Sequence, residues 1–98
     1  MAKIDYEKLA AEIIGKVGGT ENIHTVSHCA TRLRFVLKDR SLANEKELRQ
    51  LQGVLGSVYG SGQFQVILGE NLFPVYDAIL KNYNLDEGEE VQENHVED

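Results

Sequence analysis

The fold is decided by an alternating stretch, residues 31–38, which reads Thr-Arg-Leu-Arg-Phe-Val-Leu-Lys. Every second residue is apolar (Leu33, Phe35 and Leu37), and basic residues stand before, between and after them. A period of two is typical of a β-strand that buries one face and leaves the other in water. We therefore expect a strand here with a basic row on its outward face. That row consists of Arg32, Arg34 and Lys38.

Three further segments carry the apolar spacing of amphipathic helices. The first spans residues 6–17, with Asp5 as its expected N-cap and Gly18-Gly19 as its stop. A short second helix is expected to open at Asn44, which begins a capping-box pattern. The third spans residues 71–83. Its expected buried face consists of Leu72, Tyr76, Ile79, Leu80 and Tyr83.

Together these segments predict an α+β fold. Besides residues 31–38, strands are expected at residues 23–28, 54–59 and 64–68, and a glycine-containing turn over residues 60–63 joins the last two. The order α-β-β-α-β-β-α is typical of a four-stranded antiparallel sheet with three helices on one face. The other face of the sheet is then open to solvent.

Length and composition bound the class of protein. The chain has 98 residues, of which 42 % are hydrophobic and 27 % charged, as expected for one globular domain. The apolar runs are too short for a transmembrane helix, and the N-terminus lacks the apolar core of a secretory signal, so we expect a cytoplasmic location. The single cysteine, Cys29, excludes an internal disulfide and a multi-cysteine zinc site.

The net charge of −6 is unevenly distributed along the chain. Residues 85–98 hold seven of the 16 acidic residues and none of the ten basic ones, which leaves residues 1–84 with a net charge of +1. We expect residues 1–84 to form the folded domain, and residues 85–98 to be a disordered acidic tail or the start of a linker. The basic residues are scattered, which argues against nucleic-acid binding.

The most reactive part of the sequence lies at the start of the alternating stretch. A nearby guanidinium favours the thiolate form of Cys29. Arg32 and Arg34 project from one face of a strand, and together they can hold a tetrahedral anion. The tight connection through Ala30 and Thr31 can also turn backbone N–H groups toward a group on the sulfur. This pattern predicts a phosphate or sulfate cradle around a nucleophile; a buried cysteine beside surface arginines is the alternative interpretation.

Other kinds of site fail on spacing. A phosphatase loop needs an arginine at the position where this chain has Phe35. The glycines at residues 53–62 lack the Gly-Lys-Ser/Thr ending of a nucleotide-binding loop. His24 and His28 are expected on one half-exposed strand face, opposite to Cys29, so a metal site is not predicted. The sequence indicates neither a metal nor another cofactor.

Two motifs carry a family resemblance: residues 28–35, His-Cys-Ala-Thr-Arg-Leu-Arg-Phe, and residues 62–69, Gly-Gln-Phe-Gln-Val-Ile-Leu-Gly. With the order of elements over about residues 5–83, they closely resemble the enzyme IIB domains of sugar phosphotransferase systems, glucose superfamily. The resemblance implies that Cys29 is the phosphorylated residue. It also implies that Arg32 and Arg34 serve onward transfer to sugar and that Gln63 lies near the phosphorylated cysteine.

The resemblance further implies a phosphotransferase with a phosphocysteine intermediate. In that family the cysteine takes a phosphoryl group from a phosphohistidine of the enzyme IIA domain and passes it to a sugar held by the membrane-embedded enzyme IIC domain. A start at Met1 and an acidic end resemble the β-glucoside, sucrose and trehalose branch, where an enzyme IIC domain follows in the same chain. We therefore expect a domain on the cytoplasmic side of the membrane, monomeric when isolated. Ser27 stands where some glucose-type members carry an aspartate, which counts against glucose as the sugar.

Two other classes of function stay open from the residues alone. One is a small redox or regulatory module that uses Cys29 as an oxidisable thiol. The other is an interaction domain without chemistry. Stoichiometric uptake of phosphate from a phosphorylated donor separates the phosphoryl carrier from both.

Overall fold

The computed structural model describes residues 4–85 and Glu87. The helices are α1 (Tyr6–Lys16), α2 (Glu45–Leu48) and α3 (Leu72–Asn82). The strands are β1 (Ile23–His28), β2 (Arg32–Leu37), β3 (Gly56–Gly60) and β4 (Gln63–Ile67). Short 3-10 turns lie at Thr20–Asn22, Arg40–Leu42 and Gly69–Asn71. The strands form one antiparallel sheet in the order β1-β2-β4-β3, which confirms the predicted α+β class and element order.

One face of the sheet forms the core together with the helices. On the two central strands, β2 and β4, Leu33 lies opposite Val66 and Phe35 lies opposite Phe64, and all four side chains are fully buried. The helices cover these pairs with apolar side chains. Those chains include Leu9, Ile13, Leu48, Leu72 and Ile79. Cross-strand apolar pairs of this kind fix the register of a sheet, because a slip by one residue would turn them to the open face.

The turn between β3 and β4 fixes the register at the other side of the sheet. Its two central residues, Ser61 and Gly62, have φ angles of 54° and 76°. Positive φ at both positions is the requirement of a type I′ hairpin, which matches the twist of the flanking strands. Gly60 lies opposite Gln63 as a result. The alternation along β4 then places Gln63 and Gln65 on the open face.

The two helix starts behave as their sequences predict. The Asp5 side chain accepts hydrogen bonds from the backbone N–H groups of Glu7 and Lys8, both at 3.1 Å. The Asn44 side chain accepts from the N–H of Glu47 at 3.0 Å. The capping box is only half formed, because the Glu47 carboxylate instead accepts from Lys16 Nζ at 2.7 Å. This ion pair joins the end of α1 to the start of α2.

The predicted common face of His24 and His28 is wrong. The register of β1 against β2 shifts between Ile23 and Thr25, which is a β-bulge centred on His24. The extra residue reverses the alternation. His24 is therefore exposed, whereas His28 lies on the side of α3.

The buried face of α3 also differs from the prediction at three residues. Leu80 is 37 % exposed, while Val75 and Ala78, which were not expected in the core, are buried. Tyr83 is half-buried against the core after the end of the helix. The stripe of α3 that packs on the sheet and α1 is thus rotated slightly away from Leu80.

The chain turns back beside β1 after α3. Leu85 is half-buried and packs against the core, and Glu87 forms a parallel bridge with Val26 of β1. The remaining residues of the predicted acidic tail, 86 and 88–98, lie outside the described part of the chain. None of the helices that the structure describes combines the length and apolar character that a membrane span requires.

Candidate active site

Cys29 begins the three-residue connection between β1 and β2. Its N–H donates to the carbonyl of Arg32 at 3.0 Å, which closes the hairpin. The carbonyl of Thr31 accepts from the N–H groups of Leu68 and Gly69, at 2.9 and 3.0 Å. The connection is therefore held to both of its own strands and to the end of β4. A half-buried cysteine in a loop fixed in this way has a defined sulfur position.

The surroundings of the sulfur favour the thiolate. Partial burial raises the pKa of the Cys29 thiol, but hydrogen bonds from the backbone N–H groups of Thr31 and Arg32 lower it. The Arg34 guanidinium lowers the pKa as well, through a hydrogen bond and through its charge. The net effect is a pKa below the ordinary value for cysteine. The sulfur thus faces two main-chain dipoles and one cation, all of which attract negative charge.

Two arginine–glutamine pairs lie on the open face of the sheet. Arg34 Nη1 donates to Gln63 Oε1 at 2.7 Å, and Arg32 Nη1 donates to Gln65 Oε1 at 2.9 Å. In the register of β2 against β4, Arg34 lies opposite Gln65, so the bond to Gln63 is diagonal. The arginines are therefore half-buried side chains with fixed acceptors, and the expected solvated row is corrected at these two positions.

The predicted site residues do not all meet at the sulfur. Cys29, Thr31 and Arg34 do, and Arg32 meets it through its backbone N–H, while its side chain is directed to Gln65. Gln63 reaches the sulfur only through Arg34. Ala30 is exposed beside the sulfur, and its expected N–H donation to a phosphoryl group stays a prediction.

Gln65 is a residue of this region that the sequence analysis missed. It is only 8 % exposed although it lies on the open face, and its amide oxygen accepts from Arg32. The signal was present in the alternation of β4, where two glutamines flank Phe64. Which arginine each glutamine binds depends on the diagonal geometry between β2 and β4. Neither strand's sequence predicts that geometry by itself.

His28 connects the cysteine loop to α3. Its Nδ1 donates to the carbonyl of Cys29 at 2.9 Å. Its ring lies edge-on to Tyr76 and Phe73, with centroids 4.4 and 5.3 Å away. Phe73 is 53 % exposed, so the rim beside Cys29 carries apolar surface. Among the described residues there is no cluster of three or more His, Cys, Asp or Glu side chains that could bind a metal ion.

This arrangement has a specific chemical capability. A half-exposed sulfur with a lowered pKa can attack an electrophile that approaches from the rim. The N–H groups and the guanidinium around it can then hold the oxygens of a tetrahedral anion attached to the sulfur. These donors are already in place before any such group arrives.

Comparisons with known proteins match this chain to one family. A family model described as "phosphotransferase system, EIIB" matches residues 11–44. The β-glucoside-specific EIIBCA component of Bacillus subtilis is 46 % identical over 82 residues, which cover 84 % of this chain and 14 % of that protein. The trehalose-specific EIIBC component of Escherichia coli is 46 % identical over 80 residues, which cover 82 % of this chain and 17 % of that protein. The chain thus spans only a small part of these curated relatives.

A solved structure of a single domain also matches this chain. It is a domain of the phosphotransferase system IIabc component from Clostridium difficile, with a TM-score of 0.79 and 39 % sequence identity. The alignment covers 85 % of this chain and 86 % of that domain. The β-glucoside-, sucrose- and trehalose-specific relatives correspond to the branch that the family resemblance indicates. From its fold, its motifs and these relatives, the chain belongs to the EIIB family of phosphotransferase system domains.

Proposed function

We propose that this domain is the phosphoryl carrier of a sugar phosphotransferase system and that Cys29 carries the phosphoryl group. The observation behind this proposal is the surroundings of the sulfur, where Thr31, Arg32 and Arg34 offer hydrogen bonds to negative charge. The donor is a phosphohistidine on an enzyme IIA domain, and the acceptor is a sugar bound to an enzyme IIC domain. The domain then works on the cytoplasmic side of the membrane.

In the first transfer, the Cys29 thiolate attacks phosphorus in line with the bond to the donor histidine. The S–P bond forms as the N–P bond breaks, and the electron pair of the N–P bond returns to the imidazole nitrogen. Negative charge spreads over three oxygens in the transition state. The N–H groups of Thr31 and Arg32 and the Arg34 guanidinium lie where they can stabilise that charge.

In the second transfer, a sugar hydroxyl attacks phosphorus and the S–P bond breaks. The thiolate leaves with the electron pair of that bond, while the hydroxyl gives up its proton on the acceptor side. A sulfur with a lowered pKa is a better leaving group, so the same surroundings favour both transfers. Arg34 assists the second transfer with its guanidinium at the sulfur, and Arg32 assists it from the same open face of the sheet.

The rim around Cys29 supports docking of a donor domain. A histidine on another protein reaches the sulfur only if Cys29 lies on a convex or flat surface. Ala30 and Thr31 are exposed, and Phe73 offers apolar area next to His28. Exposed aromatic side chains of this kind are frequent anchors at protein interfaces.

The test follows the phosphoryl group through both transfers. The domain is incubated with phosphorylated enzyme IIA, separated from it, and mixed with membranes that carry the matching enzyme IIC and its sugar. We expect one phosphoryl group per chain after the first step and sugar phosphate after the second. A domain that folds but gains no phosphoryl group from any phosphorylated enzyme IIA of this branch would contradict the proposal.

A thiol-based redox module is the second candidate, because a half-exposed cysteine with a lowered pKa is also prone to oxidation. Treatment with dilute peroxide separates the two. Rapid formation of a sulfenic acid at Cys29, together with no phosphoryl uptake, would favour the redox module.

A further inference from the structure

Arg34 lies between the nucleophile and a side chain on the far strand. On one side, its guanidinium lowers the pKa of the Cys29 thiol through a hydrogen bond and through its charge. On the other side, its Nη1 donates to Gln63 Oε1 at 2.7 Å. One cation thus connects β4 to the residue that follows β1.

Gln63 is well suited to fix the position of this guanidinium. An arginine side chain has many rotamers, and holding it in one of them costs conformational entropy that a fixed partner offsets. Gln63 is fixed because it is the first residue of β4 after the tight turn at Ser61 and Gly62. Its partner across the hairpin is Gly60.

The chemistry of the contact indicates how Gln63 acts. The atom that meets Arg34 is the amide oxygen, which accepts hydrogen bonds and does not donate them. That oxygen is occupied by Arg34, and as an acceptor it cannot bind the oxygens of a phosphoryl group. An amide is also neutral, so this contact orients the guanidinium without cancelling its charge, as a carboxylate would.

We propose that Gln63 is a positioning residue that holds the Arg34 guanidinium against the Cys29 sulfur, and that it acts on the phosphoryl group through Arg34. The proposal deepens the phosphoryl-carrier function and rests on it for its biological meaning. Both partners of the contact belong to this chain. The proposal is therefore testable on the free thiol.

The second pair on the open face provides a comparison. Arg32 is held by Gln65 in the same diagonal geometry, but Arg32 meets the sulfur through its backbone N–H. That N–H stays in place whatever its side chain does. Among the charged and titratable side chains of the described residues, Arg34 of β2 acts on the sulfur, and His28 of β1 bonds the carbonyl of Cys29.

The experiment measures the rate at which iodoacetamide alkylates Cys29, across a range of pH, in the unphosphorylated domain. Cys29 is the only cysteine, so the rate reports on one thiol. Gln63→Leu removes the acceptor and leaves the charge of Arg34 unchanged. We expect the alkylation rate near neutral pH to fall about threefold and the profile to move to higher pH, because the thiolate loses a fixed cation. Gln52→Leu, the same change at an exposed position between α2 and β3, is the control and should keep the wild-type profile.

A double-mutant cycle shows whether the effect passes through Arg34. In an Arg34→Gln background, Gln63→Leu should cause no further fall in rate, since the residue that it positions is gone. An unchanged profile in Gln63→Leu, or an equal fall in both backgrounds, would overturn the proposal. Neither result depends on phosphoryl uptake, so a failure of the phosphoryl-carrier function is recorded separately, by the absence of uptake.

Discussion

The two faces of the sheet are built from alternate residues of the same two strands, yet different forces organise them. The covered face is apolar and holds together by burial, which has no preferred direction. The open face is polar and holds together by directed hydrogen bonds between arginines and glutamines. Residues two positions apart along one strand share a face. Along β2 and β4, residues that stabilise the core therefore alternate with polar residues of the open face. Changes on the covered face should alter the free energy of unfolding, and changes on the open face should alter phosphoryl transfer.

The largest effect should come from the covered face. Phe35 is fully buried opposite Phe64, so Phe35→Ala leaves a cavity in the centre of the core. We expect a loss of about 3–5 kcal/mol in the free energy of unfolding, because the transfer and cavity contributions add. Urea denaturation measures it. A loss similar to that of a surface substitution would show that the centre of this core is not where the stability lies.

The next effect concerns the two arginines of the open face. Lysine keeps the charge of Arg32 or Arg34 but loses the planar fork that binds two oxygens at once. We expect both lysine variants to accept a phosphoryl group on Cys29, because the backbone N–H groups remain. Transfer to sugar should fall about ten- to a hundredfold, equivalent to roughly 1.5–3 kcal/mol. Sugar phosphate formation in membranes that carry the matching enzyme IIC measures the loss.

The same variants test the comparison between the faces. Their free energy of unfolding should change by less than about 0.5 kcal/mol, as expected for substitutions away from the core. Sugar transfer at the wild-type rate in both variants would remove the arginines from the site and leave them a role in solubility alone.

A smaller effect separates the two arginines from each other. Arg34 meets the sulfur with its guanidinium and Arg32 with its backbone N–H. Arg34→Gln should therefore raise the pKa of the Cys29 thiol toward its ordinary value, about 8.5 for a free cysteine, whereas Arg32→Gln should change it much less. The pH at which alkylation reaches half its maximal rate measures the pKa. Equal profiles for the two variants would contradict the assignment of the sulfur contact to Arg34.

The lowered thiol pKa also makes the free energy of unfolding depend on pH. The folded state holds the thiolate more strongly than the unfolded chain does, so its contribution is present above the unfolded pKa and is lost as pH falls through the folded pKa. The difference in unfolding free energy between the wild type and Arg34→Gln should accordingly grow as the pH rises toward 9, a limit set by the ordinary cysteine pKa of about 8.5. Urea denaturation at several pH values measures this difference.

The smallest effect is expected from the acidic end of the chain. Residues 88–98 have little apolar content. Their removal should leave the free energy of unfolding and phosphoryl acceptance nearly unchanged. A clear loss of either property in a chain that ends at Glu87 would assign this segment a role in the domain.

Most of the fold could be predicted from local patterns. The period of two in β2 identified the covered face, and the caps Asp5 and Asn44 identified two helix starts, because each signal lies within one short segment. The bulge at His24 could not be predicted, since it depends on how β1 is matched to β2 across the hairpin. The exposure of Leu80 depends in the same way on how α3 rotates against its neighbours.

The site shows the same limit. The spacing along the strand indicated that Cys29, Arg32 and Arg34 lie in one region, and the family resemblance added Gln63 to it. The sequence could not distinguish the arginine that meets the sulfur by its side chain from the one that meets it by its backbone. It also could not show that Gln65 is buried and bonded to Arg32. These features arise from diagonal contacts between strands that are distant in sequence.

The central claim is that Cys29 carries the phosphoryl group, and intact-mass spectrometry tests it most directly. The wild-type domain and Cys29→Ser are each incubated with phosphorylated enzyme IIA under the same conditions, and both are checked for native folding. The account predicts one added phosphoryl group per wild-type chain and none on Cys29→Ser. A Cys29→Ser domain that still gains one equivalent would contradict it.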